Sequence, residues 1–452
     1  MGLPPKKKRK SKSLHLPEAG PEPDLPPLGQ EQTEALKEIQ AFLKDPVKEL
    51  FLLEGYAGTG KSTLCRHLIH GLVGIQVALA APTNKAVGVL RDITWDLPVK
   101  VPAGTLHHWL NLALIENREG ETHLENMGEH RLAKVGLLIV DECSMIDEAL
   151  WQSLQDLFEG RPKLKVLLMG DPAQLPPVGE ELSHSFQLAD GVSLKEVFRQ
   201  GKGHPILSYS MKLRDSMLAK AIELPLPEAS EEKMVLHQDE GLFRGEMMKA
   251  FSEAESDGRC SDLRVLAYTN ARVERWNQMV QSHLFGKIEA PFDPRETLIL
   301  KSPLGAKRMD GRWYRILSTD DEVRLVGSRA LDWEGVPCYE LDVRGPDGRT
   351  HGLTYVDNRH REAWELAKKE KRKHCSEHPF EWPAFDRFMA SVVPLQSAFA
   401  MTVHRCQGST FERVFIDLPS FGACRDWPMK LRLLYVAISR SRSRVDIYWP
   451  KE

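Results

Sequence analysis

Three short stretches hold the residues whose types and spacing can do phosphate chemistry. GYAGTGKS, residues 55 to 62, has the G-x-x-x-x-G-K-S spacing of a phosphate loop and stands between an apolar run, LFLLE, and an amphipathic one, LCRHLIHGL. Gly55, Gly58 and Gly60 let the backbone turn its amides toward phosphate oxygens. Lys61 reaches the β and γ phosphates, Ser62 offers a hydroxyl to Mg²⁺, and Thr59 and Thr63 complete the cradle. LLIVDE, residues 137 to 142, ends an apolar run in two carboxylates. Asp141 suits a magnesium shell, and Glu142 suits a base that orients and deprotonates water. LLMGDPAQLPPVG sets Asp171 and Gln174 at another strand end, with Gln174 in reach of both the γ phosphate and the water. A phosphate loop alone fits a small-molecule kinase, a GTPase or a motor; with the acidic pair, the set predicts hydrolysis of a nucleoside triphosphate with Mg²⁺, rather than phosphoryl transfer to an alcohol.

Such residues need a scaffold that brings several strand ends to one edge. QVALA (76 to 80), VGLLIVDE (135 to 142) and LKVLLMGD (164 to 171) each follow a helix-like segment, the pattern of a parallel sheet covered on both faces. The expected fold class is therefore α/β and doubly wound. LRVLAYTN (263 to 270), RVFID (413 to 417) and RVDIYW (444 to 449) predict a second α/β unit. Between them, residues 288 to 390 hold short β-like pieces with PDG and DG turns, read as an inserted small β-barrel. The expected organisation is a basic, Pro-rich tail over 1 to 27 and a first domain over 28 to 203, with an insertion at 108 to 132. A second domain follows over 204 to 287 and 391 to 452, split by the insert at 288 to 390.

Composition bounds the classes. The chain has 452 residues, 42% of them apolar, enough for several cores. No apolar run approaches the ~20 residues of a membrane span, and no signal-peptide core is present, so a cytoplasmic protein is expected. PKKKRKSK (5 to 12) has the form of a nuclear import signal and equally that of a solvated basic tail. Seven cysteines without a CxxC pair argue against a disulfide framework and a clustered metal site. KHCSEH, with His374, Cys375 and His378, reads as a polar helix end, and no structural zinc is expected. The net charge of −3 means that nucleic acid contact must come from local grooves rather than bulk attraction.

With Lys61, Ser62, Asp141, Glu142 and GDPAQLPP in this order, the chain resembles the superfamily 1 helicases, in their RecD-like, Dda-type branch, from Leu28 to the C-terminus. The resemblance implies two RecA-like domains with an SH3-like barrel inserted in the second. In LGQEQTEAL, Gln32 would pair with the adenine base. APTNKA (81 to 86) and GTLHHWL (104 to 110) resemble strand-contacting motifs, and LKEVFRQ (194 to 200) supplies one phosphate-binding arginine, Arg199. VLAYTNARVERWN (265 to 277) resembles the opening of the second motor domain. MTVHRCQGSTFERVFID (401 to 417) and LLYVAISRSR (433 to 442) resemble the last two motifs, with Arg440 the second arginine. Two such arginines would neutralise charge on the transferring phosphoryl group. By motif position, Thr83, Lys85, Thr105, His107, Asn270, His404 and Ser409 would contact the strand, positioning phosphates without reading bases. The insertion at 108 to 132 would be a strand-separating pin and the barrel a grip on the DNA. Trp364, Trp382 and Phe385 are its candidate aromatics, although core packing is the leading reading of each.

The resemblance thus implies an ATP-dependent monomer that moves 5′-to-3′ on single-stranded DNA and unwinds forked duplex DNA. A translocase that strips proteins from DNA or remodels RNA is the nearby alternative. The sequence leaves open replication or repair proteins as partners. A P-loop kinase of a small molecule would account for Lys61 and Asp141 but leaves Arg199, Gln407 and Arg440 without roles. A binding protein with a vestigial ATPase would show damage to the loop or the acidic pair, and both are intact. No acidic cluster stands apart from the ATP site, so no fused nuclease is expected.

Overall fold

Loops at the ends of parallel strands carry the candidate residues of this protein, and two sheets supply them. The computed structural model describes residues 25 to 116, 122 to 158, 163 to 188, 190 to 196, 204 to 228, 230, 232 to 286, 290 to 307 and 313 to 450. Residues 1 to 24 with the basic segment, Arg199, and the turn at 117 to 121 lie outside the described residues.

Among the described residues the first sheet has six parallel strands, in the spatial order Ala103–Thr105, Val77–Ala81, Leu137–Val140, Lys165–Gly170, Leu50–Gly55 and Gly191–Leu194. Its central strands are buried along their whole length, which is why LLIV and KVLLMG read as unbroken apolar runs. One face is covered by Ile39, Leu64, Leu68 and Leu90, the other by Trp109, Leu110, Leu150 and Leu154. Helix starts follow local chemistry. Helices Asn84–Thr94, Leu106–Leu110 and Asn270–Phe285 begin after Thr83, Thr105 and Thr269, whose hydroxyls accept the N–H groups of Ala86, His108 and Arg272.

The second sheet is also parallel, in the order Ala400–Thr402, Leu263–Ala267, Phe411–Asp417, Ser441–Tyr448 and Met234–His237. Phe243, Phe251, Trp276 and Phe415 fill one of its faces. On the other face, helices Pro205–Leu218 and Trp427–Ser439 pack together, and Ala173 and Leu175 from the first unit enter the same apolar cluster. The two units therefore share a core beneath the GDPAQLPP loop.

Strands Thr350–Val356, Val336–Arg344, Glu322–Trp333, Thr297–Leu300 and Leu395–Ser397 form an antiparallel sheet between the parts of the second unit, and Leu304–Lys307 pairs separately with Trp313–Leu317. This differs from the expected barrel. The five strands pair in an open order, and two helices, Arg361–Glu377 and Trp382–Ser391, occupy the end of a segment read as a small β-barrel with a polar helix end at KHCSEH. Trp333, at the far end of the long strand Glu322–Trp333, lies 4.8 Å from Trp364 and is stacked at 4.9 Å on Phe388, so those helices are held by an aromatic cluster. Trp364 and Phe385 are buried in it, and Trp382 meets Phe385 edge-on. His374 and Cys375 fall in the last turn of helix Arg361–Glu377, with His378 as its cap, as the polar helix-end reading expects. A small hairpin, Leu112–Glu116 with Thr122–Asn126, stands within the 108 to 132 insertion. No helix among the described residues is long and apolar enough to cross a membrane.

Candidate active site and strand interface

Strands Leu137–Val140, Lys165–Gly170 and Leu50–Gly55 are neighbours, so Asp141, Asp171 and the phosphate loop emerge side by side. Gly58 and Gly60 adopt φ values of 87° and 78°, the left-handed region, and the helix Lys61–Gly71 starts directly after them with Ser62 and Thr63 in its first turn. A Cβ on Gly60 would also overlap the Gln32 side chain. The Lys61 ammonium donates to the carbonyls of Gly55 and Tyr56, which folds it back across the mouth of the loop. The buried Thr59 donates its hydroxyl to Tyr56 O at 2.9 Å. Gln32 is more constrained than its base-pairing expectation. Its Nε2 donates to Thr59 O at 3.1 Å and its Oε1 accepts the Gly29 amide at 2.9 Å, so the buried side chain braces the phosphate loop.

Asp141 accepts the Glu142 N–H at 2.9 Å, and Glu142 itself takes a left-handed backbone at φ 55° and ψ 40°. A non-glycine residue in that region is strained, and such strain concentrates at functional sites. Burial pushes both carboxyls above their ordinary range. Lys61 opposes this at Asp141; at Glu142 the neighbouring Asp141 charge adds to it, while Arg440 and Lys61 oppose it. Two adjacent acids with raised proton affinity form a donor set that a hard dication satisfies.

Arg440 comes from the other unit, at the end of helix Trp427–Ser439. It is buried, and its guanidinium donates to Val436 O, Ser409 O and Ser439 Oγ while its charge reaches Glu142. Asp171 is a junction rather than a metal ligand. Its Oδ2 accepts the Ala57 amide at 3.0 Å and the Tyr435 hydroxyl at 2.7 Å, joining phosphate loop, first sheet and second unit. Arg432 donates to Gln174 O at 2.7 Å, and among the described residues the buried Gln174 Oε1 has no partner. Arg214 lies 4.2 Å over the Tyr56 ring. Sequence reading passes over Tyr435, Arg432 and Arg214. Arg432 and Tyr435 stand one helical turn apart just ahead of Arg440, a spacing that puts them on one face; nothing in the sequence points to Arg214.

The strand candidates follow the same edges. Thr83 and Thr105 end the two strands beyond Leu137–Val140 in the first sheet, while Asn270 and His404 follow the adjacent strands Leu263–Ala267 and Ala400–Thr402 in the second. Asn270 is exposed. His404 is partly buried beside Tyr268, and burial lowers its proton affinity. His107 is partly buried in the short helix Leu106–Leu110. Ser409 is buried with its hydroxyl unpartnered. Three of these side chains already have partners: the Thr83 and Thr105 hydroxyls accept amides as helix caps, and Lys85 lies 3.6 Å from Glu322.

The AAA domain family matches residues 27 to 227, and the UvrD-like helicase C-terminal domain family matches residues 397 to 448. Over 178 residues the chain is 38% identical to the ATP-dependent RecD2 DNA helicase of Deinococcus radiodurans, a match that covers 38% of this chain and 23% of that relative. It is 25% identical to the ATP-dependent DNA helicase dda of Enterobacteria phage T4, over 92% of this chain and 98% of the phage protein. A solved structure of Pif1 helicases, described for unwinding at forked double-stranded DNA, superposes with a TM-score of 0.51 at 18% identity, covering 94% of this chain and 93% of that one. The fold is thus that of two RecA-like units, and the chain is similar to the superfamily 1 helicases of the RecD, Dda and Pif1 type.

Proposed function

We propose that this chain is an ATP-driven helicase that moves along single-stranded DNA and separates the duplex ahead of it. The observation that carries the reading is Arg440, whose charge reaches Glu142 from the opposite unit, so that the hydrolytic site is complete only when both units meet. The phosphate-loop amides and Lys61 hold the triphosphate. Ser62 and Asp141 would hold Mg²⁺, which offsets phosphate charge. Glu142 accepts a proton from water, Gln174 orients that water through its Oε1, and Arg440 stabilises charge on the phosphoryl group. The strand lies along the outer ends of both sheets, over Thr83, Thr105, His107, Asn270, His404 and Ser409. Each cycle of closure shifts the first set of contacts against the second. The protein acts as a monomer and travels 5′-to-3′.

The test is the ATP hydrolysis rate with and without poly-dT, then with the matching RNA, with Lys61→Ala as the control. Strong stimulation by DNA that disappears in the variant is expected, and duplexes tailed at the 5′ or 3′ end then read the direction. A rate indifferent to either nucleic acid would remove the motor reading. Stimulation without strand separation would leave a translocase.

A further inference from the structure

Away from the ATP site, five charged side chains meet where the two motor units and the inserted sheet come together. Lys85, in the first turn of helix Asn84–Thr94, reaches Glu322 of the insert at 3.6 Å. Arg264, from strand Leu263–Ala267 of the second unit, donates to the same carboxylate at 3.0 Å. Both cations also lie over one ring, Phe411, at 5.6 Å and 4.7 Å. Beside them Arg405 pairs with Asp320 of the insert. Three cations therefore face two carboxylates.

The balance within this group is unusual. Arg264 is 1% exposed, yet among the described residues its Nε has no hydrogen-bond partner, and it shares the Glu322 carboxylate with a lysine. Holding a buried arginine and a partly buried lysine against one anion leaves uncompensated positive charge, which favours another anion at the same place. Burial and the neighbouring Arg264 lower the proton affinity of Lys85, in keeping with an under-neutralised cluster. Lys85 also lies in APTNKA, two residues from Thr83 and at the edge of the first sheet, where the proposed strand path runs.

We propose that Glu322 is an internal stand-in for a strand phosphate, a latch that ties the insert to Lys85 until single-stranded DNA displaces it. The proposal rests on the reading that a strand crosses this edge. Without the strand, Glu322 holds the first unit, the second unit and the insert together. With the strand, a phosphate takes Lys85, Glu322 stays with Arg264, and the insert is released from the first unit. Nucleic acid binding thereby reaches the insert through one exchanged ion pair.

The test is binding of a fluorescein-labelled dT oligonucleotide to the full chain without nucleotide, read by anisotropy. Relative to wild type, Glu322→Gln is expected to bind about 1.5- to fivefold tighter, the range of one partly exposed ion pair that no longer has to be broken. Glu322→Asp keeps the charge but shortens its reach, and a smaller gain is expected there, which a general loss of negative charge would not produce. In a Lys85→Met background neither substitution should tighten binding. Equal or weaker binding by Glu322→Gln would overturn the latch, as would the same gain without Lys85. If wild type neither binds the oligonucleotide nor hydrolyses ATP faster with it, the motor reading fails and the latch with it; stimulated wild type with unresponsive Glu322 variants removes the latch alone.

Discussion

Asp446 in the second sheet and Glu142 at the edge of the first are both acids withdrawn from water, and they are treated oppositely. Asp446 is fully buried but receives His237 Nε2 at 2.9 Å, Arg413 Nε at 2.8 Å and Arg444 Nη2 at 2.9 Å, with Glu246 tying the same two arginines from helix Glu240–Ser256. These partners hold its carboxyl down at about 2. Glu142 feels Lys61 and Arg440 as charges, but their hydrogen bonds go to the phosphate loop and to helix Trp427–Ser439, and its carboxyl is pushed up. Where buried charge is satisfied by neighbours, the site belongs to the architecture. Where it is left unsatisfied, the missing partners are ligands.

The comparison can be broken most sharply at Glu142. Glu142→Gln should lower the ATP hydrolysis rate about 10²- to 10⁴-fold, the range for losing a general base. Because it also removes one of two repelling acids, the variant's unfolding temperature should equal or exceed that of wild type. A fall in unfolding temperature would mean that Glu142 is structural after all.

Asp446 should show the reverse. Asp446→Asn leaves two partly buried arginines around a neutral group and should cost about 3 to 5 kcal/mol in urea unfolding, while hydrolysis per folded molecule stays unchanged. The pH dependence carries the same information. The carboxyl is depressed from 3.8 to about 2, so its stabilisation is fully present above pH 3.8 and is lost as pH falls through about 2. That window corresponds to about 2.5 kcal/mol, and Asp446→Asn should lack it. An acid limb unchanged by the substitution would remove Asp446 from the account.

Tyr435→Phe gives the smallest effect and sharpens the boundary between the two regimes. It removes a hydroxyl bonded to Asp171 and near Ala57, a contact between the units rather than within one. A loss of about 1 to 2 kcal/mol in stability is expected from the buried bond, with a several-fold drop in hydrolysis rate as the phosphate loop loses its tie to the second unit. Unchanged hydrolysis would place Tyr435 with Asp446.

Much of the active site is legible in sequence because its parts are local. A phosphate loop needs its glycines, lysine and hydroxyl within eight consecutive positions, and an acidic strand end needs an apolar run followed by Asp141 and Glu142. Gln32 and Lys85 show what this reasoning does not contain: each sits in a recognisable motif, and its side chain also meets a partner distant in sequence, Thr59 in one case and Glu322 in the other. The helices Arg361–Glu377 and Trp382–Ser391 escape it for a related reason. The first is so polar that it shows little apolar stripe, and it is held chiefly through Trp364 and its aromatic neighbours.

The sequence by itself determined the parallel α/β architecture and the spacing of the phosphate loop, because periodic burial and short-range motifs follow from backbone geometry, and its ordered motifs carried the resemblance to superfamily 1 helicases. Only the tertiary structure decided which charges meet. The Arg440 charge felt at Glu142, Tyr435 on Asp171, two arginines and His237 on Asp446, and two cations around Glu322 join segments far apart in the chain, and an electrostatic interaction depends on distance and burial in space, neither of which a linear spacing contains.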